Sequence, residues 1–334
     1  MKQQRYYSLD VFRGATVALM ILVNNPGSWG HIFSPLGHAS WHGCTPTDLV
    51  FPFFLFAVGN AMSFVMPKLQ QGNDAAFWGK VIKRTLMIFG IGLFLNWSPF
   101  VKFSEDVLVW KPWENVRILG VLQRIALCYF FASIIIYYGK SRIALFIGMM
   151  ILVIYWVLTF SLGTPGHMYS LSGYFGNAID QQILGITHIY KGEGVPFDPE
   201  GLTSTLPAIV QVIFGYLVGE YIQLKGKNFD MLAPLLLTGV VFVLAGYIWD
   251  FSFPINKKIW TSSYVFYTTG LAMITLGMFI YLLEFKEAKG KWSQFFDVFG
   301  KNPLFIFVLS GFLPRVLALL RWVDHVDDKG EKVY

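Results

Sequence analysis

The stretch PLGHASWHGCTPTDLVFPFFLF, residues 35–56, decides the fold class, because a polar loop passes directly into a phenylalanine-rich apolar run. Thr45, Pro46 and Asp48 stand in the order of a helix start: an N-cap, a proline at the first helical position and an acidic residue three positions after the cap. The run that follows is apolar on every side. It therefore predicts a helix that lies in lipid or among other apolar helices.

The composition extends this prediction to the whole chain. Of its 334 residues, 55% are hydrophobic and only 14% are charged, and the mean hydropathy is +0.53, which is far from the values of soluble domains. A helix needs about 20 mostly apolar residues to cross roughly 30 Å of hydrocarbon. The sequence predicts an all-α, polytopic membrane bundle of about nine spans, at residues 8–24, 47–66, 84–100, 119–138, 141–160, 204–223, 231–249, 259–283 and 302–320.

The net charge of +6 reflects membrane topology rather than a nucleic-acid partner. Asp10 and Arg13 interrupt the place where a cleavable signal peptide would have its apolar core, so the first helix is expected to stay in the protein. With the N-terminus in the cytoplasm, most basic residues fall in cytoplasmic segments, as the positive-inside rule requires. These residues are Lys2, Arg5, Lys68, Lys80, Lys83, Arg84, Lys140, Arg142, Lys225, Lys227, Lys286, Lys289, Lys291 and Lys301.

Histidine and carboxylate side chains gather in the first external loop. Asp48 has two interpretations: it caps the helix, or it holds one ring nitrogen of His38 while the other nitrogen acts as a base. The free N–H groups of the helix start would also steady an oxyanion. His38 and His42 are four residues apart, but Gly43 and Pro46 indicate a loop, so no metal site is predicted.

Two arginines fall inside predicted spans, where a charge is costly unless it is paired or hydrated. Arg13 can pair with Asp10 one turn earlier, either as a structural ion pair or as part of a site for an anionic ligand. Arg124 stands beside Gln123 and has no acid within helical reach, which favours contact with a ligand.

Six motifs carry a family resemblance: SLDVFRG (8–14), HASWHGCTPTDLVFPFFLFAVG (38–59), RILGVLQRIALCY (117–129), FDPEGLTSTLPAIVQVIFGYLVG (197–219), FPINKKIWTSSYV (253–265) and FGKNPLFIFVLSG (299–311). Over nearly the whole chain they resemble bacterial members of the heparan-α-glucosaminide N-acetyltransferase family. The resemblance implies a catalytic role for His38 and carries Asp48 over as its partner. His42 stands where the animal enzymes have asparagine, so no catalytic role is assigned to it.

The same resemblance implies an enzyme that takes acetyl from cytosolic acetyl-CoA and passes it to the amine of a terminal glucosamine, or a related amino sugar, outside the cytoplasm. The expected location is the bacterial inner (plasma) membrane, and the position of His38 in an external loop agrees with this sidedness. No metal is expected in the reaction.

A route for the donor follows from these assignments. The coenzyme A nucleotide is expected near Arg13, Lys83 and Arg84, with pantetheine threaded between helices past Gln123 and Arg124.

At the outer end of that route, His38 would take the proton of the acceptor's ammonium. The helix-start amides with Asn24 or Asn25 would steady the oxyanion. A variant in which His38 itself carries the acetyl group stays open.

The external segment at about 161–203 is long for a connector. We interpret it as a lid or acceptor-binding surface of a single acyltransferase domain at 1–334. Asp180, Asp198 and Glu200 could hold the ammonium and hydroxyls of an amino sugar, and aromatic residues such as Trp41 could stack on its ring.

Several alternatives remain at this point. Family members usually continue through at least one further helix, whereas this chain ends in the polar segment 321–334, so one or more C-terminal spans are expected to be missing. The acceptor could instead be a cell-wall or capsule sugar, and an amino-sugar transporter would also place polar residues in its spans. Aromatic outer faces permit a homodimer.

Overall fold

The computed structural model describes residues 6–104, 107–320, 325–326 and 332–333. Lys2, Arg5 and most of the segment 321–334 lie outside these residues. The helices are α1 (Tyr7–Asn24), α2 (Val50–Ser63), α3 (Met66–Gln70), α4 (Asp74–Trp97), α5 (Val121–Leu162), α6 (Phe175–Leu184), α7 (Leu202–Lys225), α8 (Phe229–Asp250), α9 (Ser262–Ile280), α10 (Lys291–Lys301) and α11 (Pro303–Leu317). Two short antiparallel pairs accompany them: β1 (Val101–Ser104) with β2 (Val107–Trp110), and β3 (His325–Val326) with β4 (Lys332–Val333).

The all-α membrane class is confirmed, but nine spans are not shown. Within the described residues, five helices are long and apolar enough to cross a membrane, namely α1, α5, α7, α8 and the helix that runs from Ser262 to Phe285. A sixth results if α10 and α11, which are bent by 83°, form one broken span. Each predicted span overlaps a helix. However, α2 has only 14 residues, which is short for a membrane span. Helix α4 carries the charged residues Lys80, Lys83 and Arg84 in its first half, which leaves only its second half apolar.

The fourth and fifth predicted spans lie in one 42-residue helix, α5. Lys140 interrupts it with non-helical angles (φ 53°, ψ −177°), so the two predicted spans lie on either side of this break. The loop expected at 161–203 contains the short helix α6.

Helices α2 and α7 approach closely at two glycines. A Cβ at Gly59 would lie 2.0 Å from the Val212 carbonyl oxygen, and one at Gly215 would lie 2.1 Å from the Phe56 carbonyl oxygen. Only glycine permits this backbone approach, which is typical of helix pairs in membranes. The contact fixes α2, and with it the turn that precedes α2, against the centre of the bundle.

Distant loops meet at the end of the bundle that contains His38, which we call the histidine end. The Gly43 N–H donates to the Ile255 carbonyl at 2.8 Å, which joins the loop after α1 to the segment between α8 and α9. The Trp41 indole N–H donates to the Tyr169 carbonyl at 2.7 Å, which adds the segment before α6. The site described next is built from these three segments.

Candidate active site

The helix start predicted at Thr45 is present as a 3-10 turn, Pro46–Leu49, directly before α2. The Thr45 backbone N–H donates to Asp48 Oδ2 at 3.1 Å, and the Thr45 hydroxyl donates to the same oxygen at 3.0 Å. The predicted capping role of Asp48 is therefore confirmed, and it uses only one of the two carboxylate oxygens.

The other carboxylate oxygen contacts the histidine. Asp48 Oδ1 lies 2.6 Å from His38 Nδ1, while the Ala39 N–H donates to Oδ2 at 3.0 Å and steadies the loop. An ionised carboxylate only accepts hydrogen bonds, so Nδ1 carries the proton and Nε2 keeps a free lone pair. The His38 side chain is 46% exposed and that of Asp48 is 2% exposed, so the base is accessible while its partner is buried.

A lysine that the sequence analysis did not single out completes this group. Lys257, from the segment between α8 and α9, places Nζ 3.3 Å from Asp48 Oδ1 and 3.1 Å from His38 Nδ1. The Tyr264 hydroxyl donates to the Asp48 carbonyl at 2.5 Å and fixes the turn against α9. The motif FPINKKIW contained the lysine, but spacing gave no reason to place it beside a residue 219 positions away.

The opposite charges of Asp48 and Lys257 stabilise each other. Burial alone would raise the pKa of Asp48, but the His38 hydrogen bond, the Lys257 charge and the backbone donors lower it well below its usual range. Burial lowers the pKa of Lys257, and the negative charge of Asp48 partly offsets this effect. Asp48 is consequently an anion at neutral pH that can stabilise a positive imidazolium.

A cavity of about 270 Å³ opens beside His38, and we call it the histidine cavity. It is lined by His38, Asp48, Thr47, Lys257 and Trp41. The aromatic contact between Trp41 and an acceptor stays a prediction. The Thr47 hydroxyl is buried and has no hydrogen-bond partner in the described part of the chain.

Glu200 also lines this cavity, whereas Asp198 and Asp180 do not. Arg117 donates to Asp198 Oδ2 at 2.9 Å and also pairs with Glu200, so one guanidinium holds both carboxylates. Asp180 accepts hydrogen bonds from the Thr203 N–H at 3.1 Å and the Thr203 hydroxyl at 3.0 Å, which anchors the start of α7. Burial raises the pKa of Asp180 to about 6. The structure thus brings only Glu200 of the three predicted acceptor carboxylates to the cavity.

A second cavity, of about 440 Å³, lies further along the bundle and is lined by four basic residues, Arg13, Lys80, Lys83 and Arg84. We call it the basic cavity. Arg13 also donates to Asp10 at 2.7 Å and to the Gly300 carbonyl at 2.6 Å, so the predicted pair with Asp10 is confirmed.

The two cavities adjoin. The apolar side chains of Phe54, Ile125 and Phe307 line both of them and form their common boundary.

A third cavity, of about 380 Å³, adjoins both, and we call it the side cavity. Asn24, Asn25 and Gln123 line it, and Asn24 also lines the histidine cavity. Arg124 lines none of the three; it is fully buried, donates to the Gly201 carbonyl at 3.1 Å and pairs with the hydroxyl of Ser204. The predicted donor contacts of Gln123 and Arg124 stay predictions, and the position of Arg124 connects α5 to the start of α7.

Comparison with known proteins identifies the family of this chain. Residues 5–246 match the family described as "Heparan-alpha-glucosaminide N-acetyltransferase, catalytic". Over 91% of its length the chain is 28% identical to the heparan-alpha-glucosaminide N-acetyltransferase of Homo sapiens and 27% identical to that of Mus musculus. The chain spans about half the length of these curated relatives, 52% and 53%. The chain therefore belongs to the heparan-alpha-glucosaminide N-acetyltransferase catalytic family.

Proposed function

We propose that the chain transfers an acetyl group from acetyl-CoA to the amine of glucosamine or a related amino sugar. The observation that carries this proposal is that a cavity with four basic residues adjoins a cavity with a carboxylate-oriented histidine, and that three apolar residues line both. Acetyl-CoA has a phosphorylated nucleotide at one end and a thioester at the other. The nucleotide suits the basic cavity, and the thioester suits the histidine cavity.

The donor's phosphates would lie in the basic cavity. Arg13, Lys83 and Arg84 supply charged donors that suit phosphate oxygens. The pantetheine arm would pass Phe54, Ile125 and Phe307, which offer an apolar path, and the thioester would reach the histidine cavity.

His38 would then act as the base. Nε2 takes a proton from the acceptor's ammonium, and the neutral amine attacks the thioester carbonyl carbon. Asp48, whose carboxylate lies 2.6 Å from His38 Nδ1, stabilises the imidazolium that forms. The nitrogen of the tetrahedral intermediate loses its second proton to solvent. As the intermediate collapses to the neutral amide, the C–S bond breaks and the imidazolium gives its proton to the leaving thiolate.

The oxyanion of the tetrahedral intermediate needs hydrogen-bond donors in the histidine cavity. Thr47 supplies a buried hydroxyl without a partner in the described residues, and Asn24 adds a carboxamide from the end of α1. Donors held in place before the reaction stabilise developing charge without reorganisation.

An acetyl group carried by His38 itself is the alternative course of the reaction. Mass spectrometry of protein incubated with acetyl-CoA alone distinguishes the two: a stable mass increase on His38 supports the acetyl-histidine, and its absence supports direct transfer.

The sidedness follows from the same residues. The positive-inside pattern supports a topology in which the basic cavity faces the cytoplasm, the proposed source of acetyl-CoA, and His38 lies on the opposite side of an inner membrane. The nine-pass topology with a cytoplasmic N-terminus counts α2, α4 and the two parts of α5 as separate passes. It is part of this proposal.

Release of free thiol from acetyl-CoA by purified protein tests the proposal, with glucosamine as acceptor. We expect release that requires the amine and is lost in His38→Ala, while His31→Ala, an exposed histidine outside the three cavities, retains it. Equal release by wild type and His38→Ala would refute the role of His38. Glucosamine uptake into proteoliposomes without any donor, in a protein that releases no thiol, would favour a transporter.

A further inference from the structure

The histidine cavity has an apolar side to which the proposed transfer assigns no task. Val50, Phe51 and Trp260 line this cavity and neither of the other two. Their exposed fractions are only 6%, 7% and 1%. A sugar would lose the hydrogen bonds of its hydroxyls against such a surface, whereas a small apolar group fits it.

The chain attaches this apolar side to the group that orients His38. Phe51 follows Asp48 by three residues, and Trp260 follows Lys257 by three. The Trp260 N–H donates to the Lys257 carbonyl at 3.1 Å, which closes the turn that carries both residues. The rings of Phe51 and Trp260 meet edge to face, with centroids 5.0 Å apart and an interplanar angle of 80°. The ring pair is thus fixed by the same two turns that hold Asp48 and Lys257.

The backbone of Trp260 is strained. Its φ is +50°, in the left-handed region that bulky side chains rarely occupy. The surrounding turn imposes this conformation: the Thr261 N–H donates to the Asn256 carbonyl at 3.1 Å, and Asn256 Oδ1 accepts a hydrogen bond from the Ile259 N–H at 3.1 Å. Strain that the neighbouring residues maintain is typical of functional sites.

A buried arginine also holds the Trp260 ring. The guanidinium carbon of Arg124 lies 5.1 Å from the ring centroid. Arg124 is fully buried, and its Nε and Nη1 have no hydrogen-bond partner among the described residues. The indole therefore stabilises a charge with few other contacts, so moving the ring away would be costly.

We infer that Phe51 and Trp260 set the length of the transferred acyl group, admitting acetyl at His38 and excluding longer chains. The inference rests on the acetyl transfer proposed above and adds the selection of the donor to it. The methyl group of the thioester would contact the ring pair. An added methylene would require a ring to move, which close packing, the Trp260 turn and the Arg124 contact oppose.

Thiol release with glucosamine and three donors, acetyl-CoA, propionyl-CoA and butyryl-CoA, tests this selection. These donors differ only in the acyl chain, so the basic cavity treats them alike. One methylene more should lower kcat/KM for propionyl-CoA by about 10-fold to 200-fold relative to acetyl-CoA, with a further decrease for butyryl-CoA. Equal kcat/KM values for the three donors would overturn the inference.

Two variants assign the selection to the ring pair. Phe51→Leu and Trp260→Phe each remove side-chain volume, so each should raise the ratio of propionyl-CoA to acetyl-CoA activity by about tenfold or more. Phe51 lies in α2, away from the strained turn, so its variant provides the test if Trp260→Phe does not fold.

Trp249→Phe is the matched control for Trp260→Phe. Trp249 lies outside the three cavities, meets Trp156 edge to face at 5.6 Å and also has an indole N–H without a partner among the described residues. It should leave the donor ratio unchanged. Equal losses for all donors in Phe51→Leu would show a merely structural role. A changed KM for glucosamine with an unchanged donor ratio would assign the pair to the acceptor. Either result would overturn the inference.

A binding measurement separates this inference from the proposed function. Calorimetry on His38→Ala, which lacks the proposed base, measures donor binding without acceptor or turnover. Acetyl-CoA should bind about tenfold more tightly than butyryl-CoA, and adding Phe51→Leu should remove the difference. This result would support the inference even if no transfer to glucosamine occurred. Equal binding of the two donors would overturn the inference alone, whereas binding of neither would contradict the proposed function as well.

Discussion

Replacing Lys257 with methionine should shift the pH dependence of transfer in a direction opposite to that of Asp48→Asn. Lys257 Nζ lies 3.1 Å from His38 Nδ1, so its positive charge opposes the imidazolium that forms when His38 accepts a proton. Methionine keeps a similar reach and apolar stem but removes the charge. The acidic limb of the kcat/KM profile should therefore move to higher pH in Lys257→Met.

The size of the shift follows from the separation. At 3.1 Å, two unit charges interact by about 1.3 kcal/mol in a water-like dielectric. The His38 side chain is 46% exposed, so this high-dielectric limit is the appropriate one. The expected displacement is about one pH unit. Asp48→Asn removes a negative charge 2.6 Å away and should move the same limb to lower pH by about one unit, with a reduced maximal rate.

The assay is thiol release with glucosamine, measured from about pH 5 to about pH 9, the range in which histidine and amine groups titrate. The acceptor's own ammonium contributes to the limb, but it is the same in every variant, so the difference between variants reports the protein. Lys258→Met is the matched control, because the neighbouring Lys258 contacts Glu193 and the Ser40 carbonyl instead. The electrostatic role of Lys257 would be refuted if the acidic limb of the kcat/KM profile of Lys257→Met stayed at the wild-type pH. A shift to lower pH, as in Asp48→Asn, would refute it as well.

Three further substitutions have defined outcomes. Thr47→Val should lower kcat by about tenfold or more while the unfolding temperature stays unchanged, because the hydroxyl has no protein partner in the described residues. Arg84→Gln should raise KM for acetyl-CoA by about threefold to tenfold and leave KM for acetyl-pantetheine, which lacks the nucleotide, unchanged. Gly59→Ala should destabilise the α2–α7 contact by about 1–3 kcal/mol, seen as a lower unfolding temperature in detergent, because its Cβ would meet the Val212 carbonyl oxygen.

Each of these substitutions has a control variant or a result that would contradict its prediction. Gly79→Ala, at a glycine whose Cβ would meet nothing within 4 Å, should leave the unfolding temperature unchanged or raise it slightly. An unchanged kcat in Thr47→Val would exclude its hydroxyl as an oxyanion donor. Equal KM changes for acetyl-CoA and acetyl-pantetheine in Arg84→Gln would argue against a phosphate contact.

Local geometry was predictable from the sequence. His38 and Asp48 are ten residues apart on either side of a helix start, so a short loop can return the imidazole to the carboxylate, and the structure places them 2.6 Å apart. The Asp10–Arg13 contact was equally local, because residues three apart face each other on a helix.

Contacts between distant segments were not predictable in this way. Lys257 reaches His38 only because the loops after α1 and α8 meet. Asp180 and Asp198 are carboxylates of the kind that bind sugars. In the structure, however, Asp180 accepts a hydrogen bond from Thr203 and Asp198 accepts one from Arg117. No spacing rule indicates which buried partner a loop carboxylate will find.

The number of spans is shown only in part, for a different reason. A window of apolar residues identifies a segment that belongs in the bundle, but it does not show that the helix is long enough to cross. The span predicted at 47–66 contains α2, which has only 14 residues. The spans predicted at 119–138 and 141–160 lie in the single helix α5, which is interrupted at Lys140.

Transfer across a sealed membrane tests the central claim most directly. Inverted vesicles would carry acetyl-CoA outside and glucosamine inside, and N-acetylglucosamine would be measured in the lumen. The adjoining basic and histidine cavities predict product inside the vesicles for the wild type and none for His38→Ala. Product confined to the outer side, or formed equally by His38→Ala, would contradict the account.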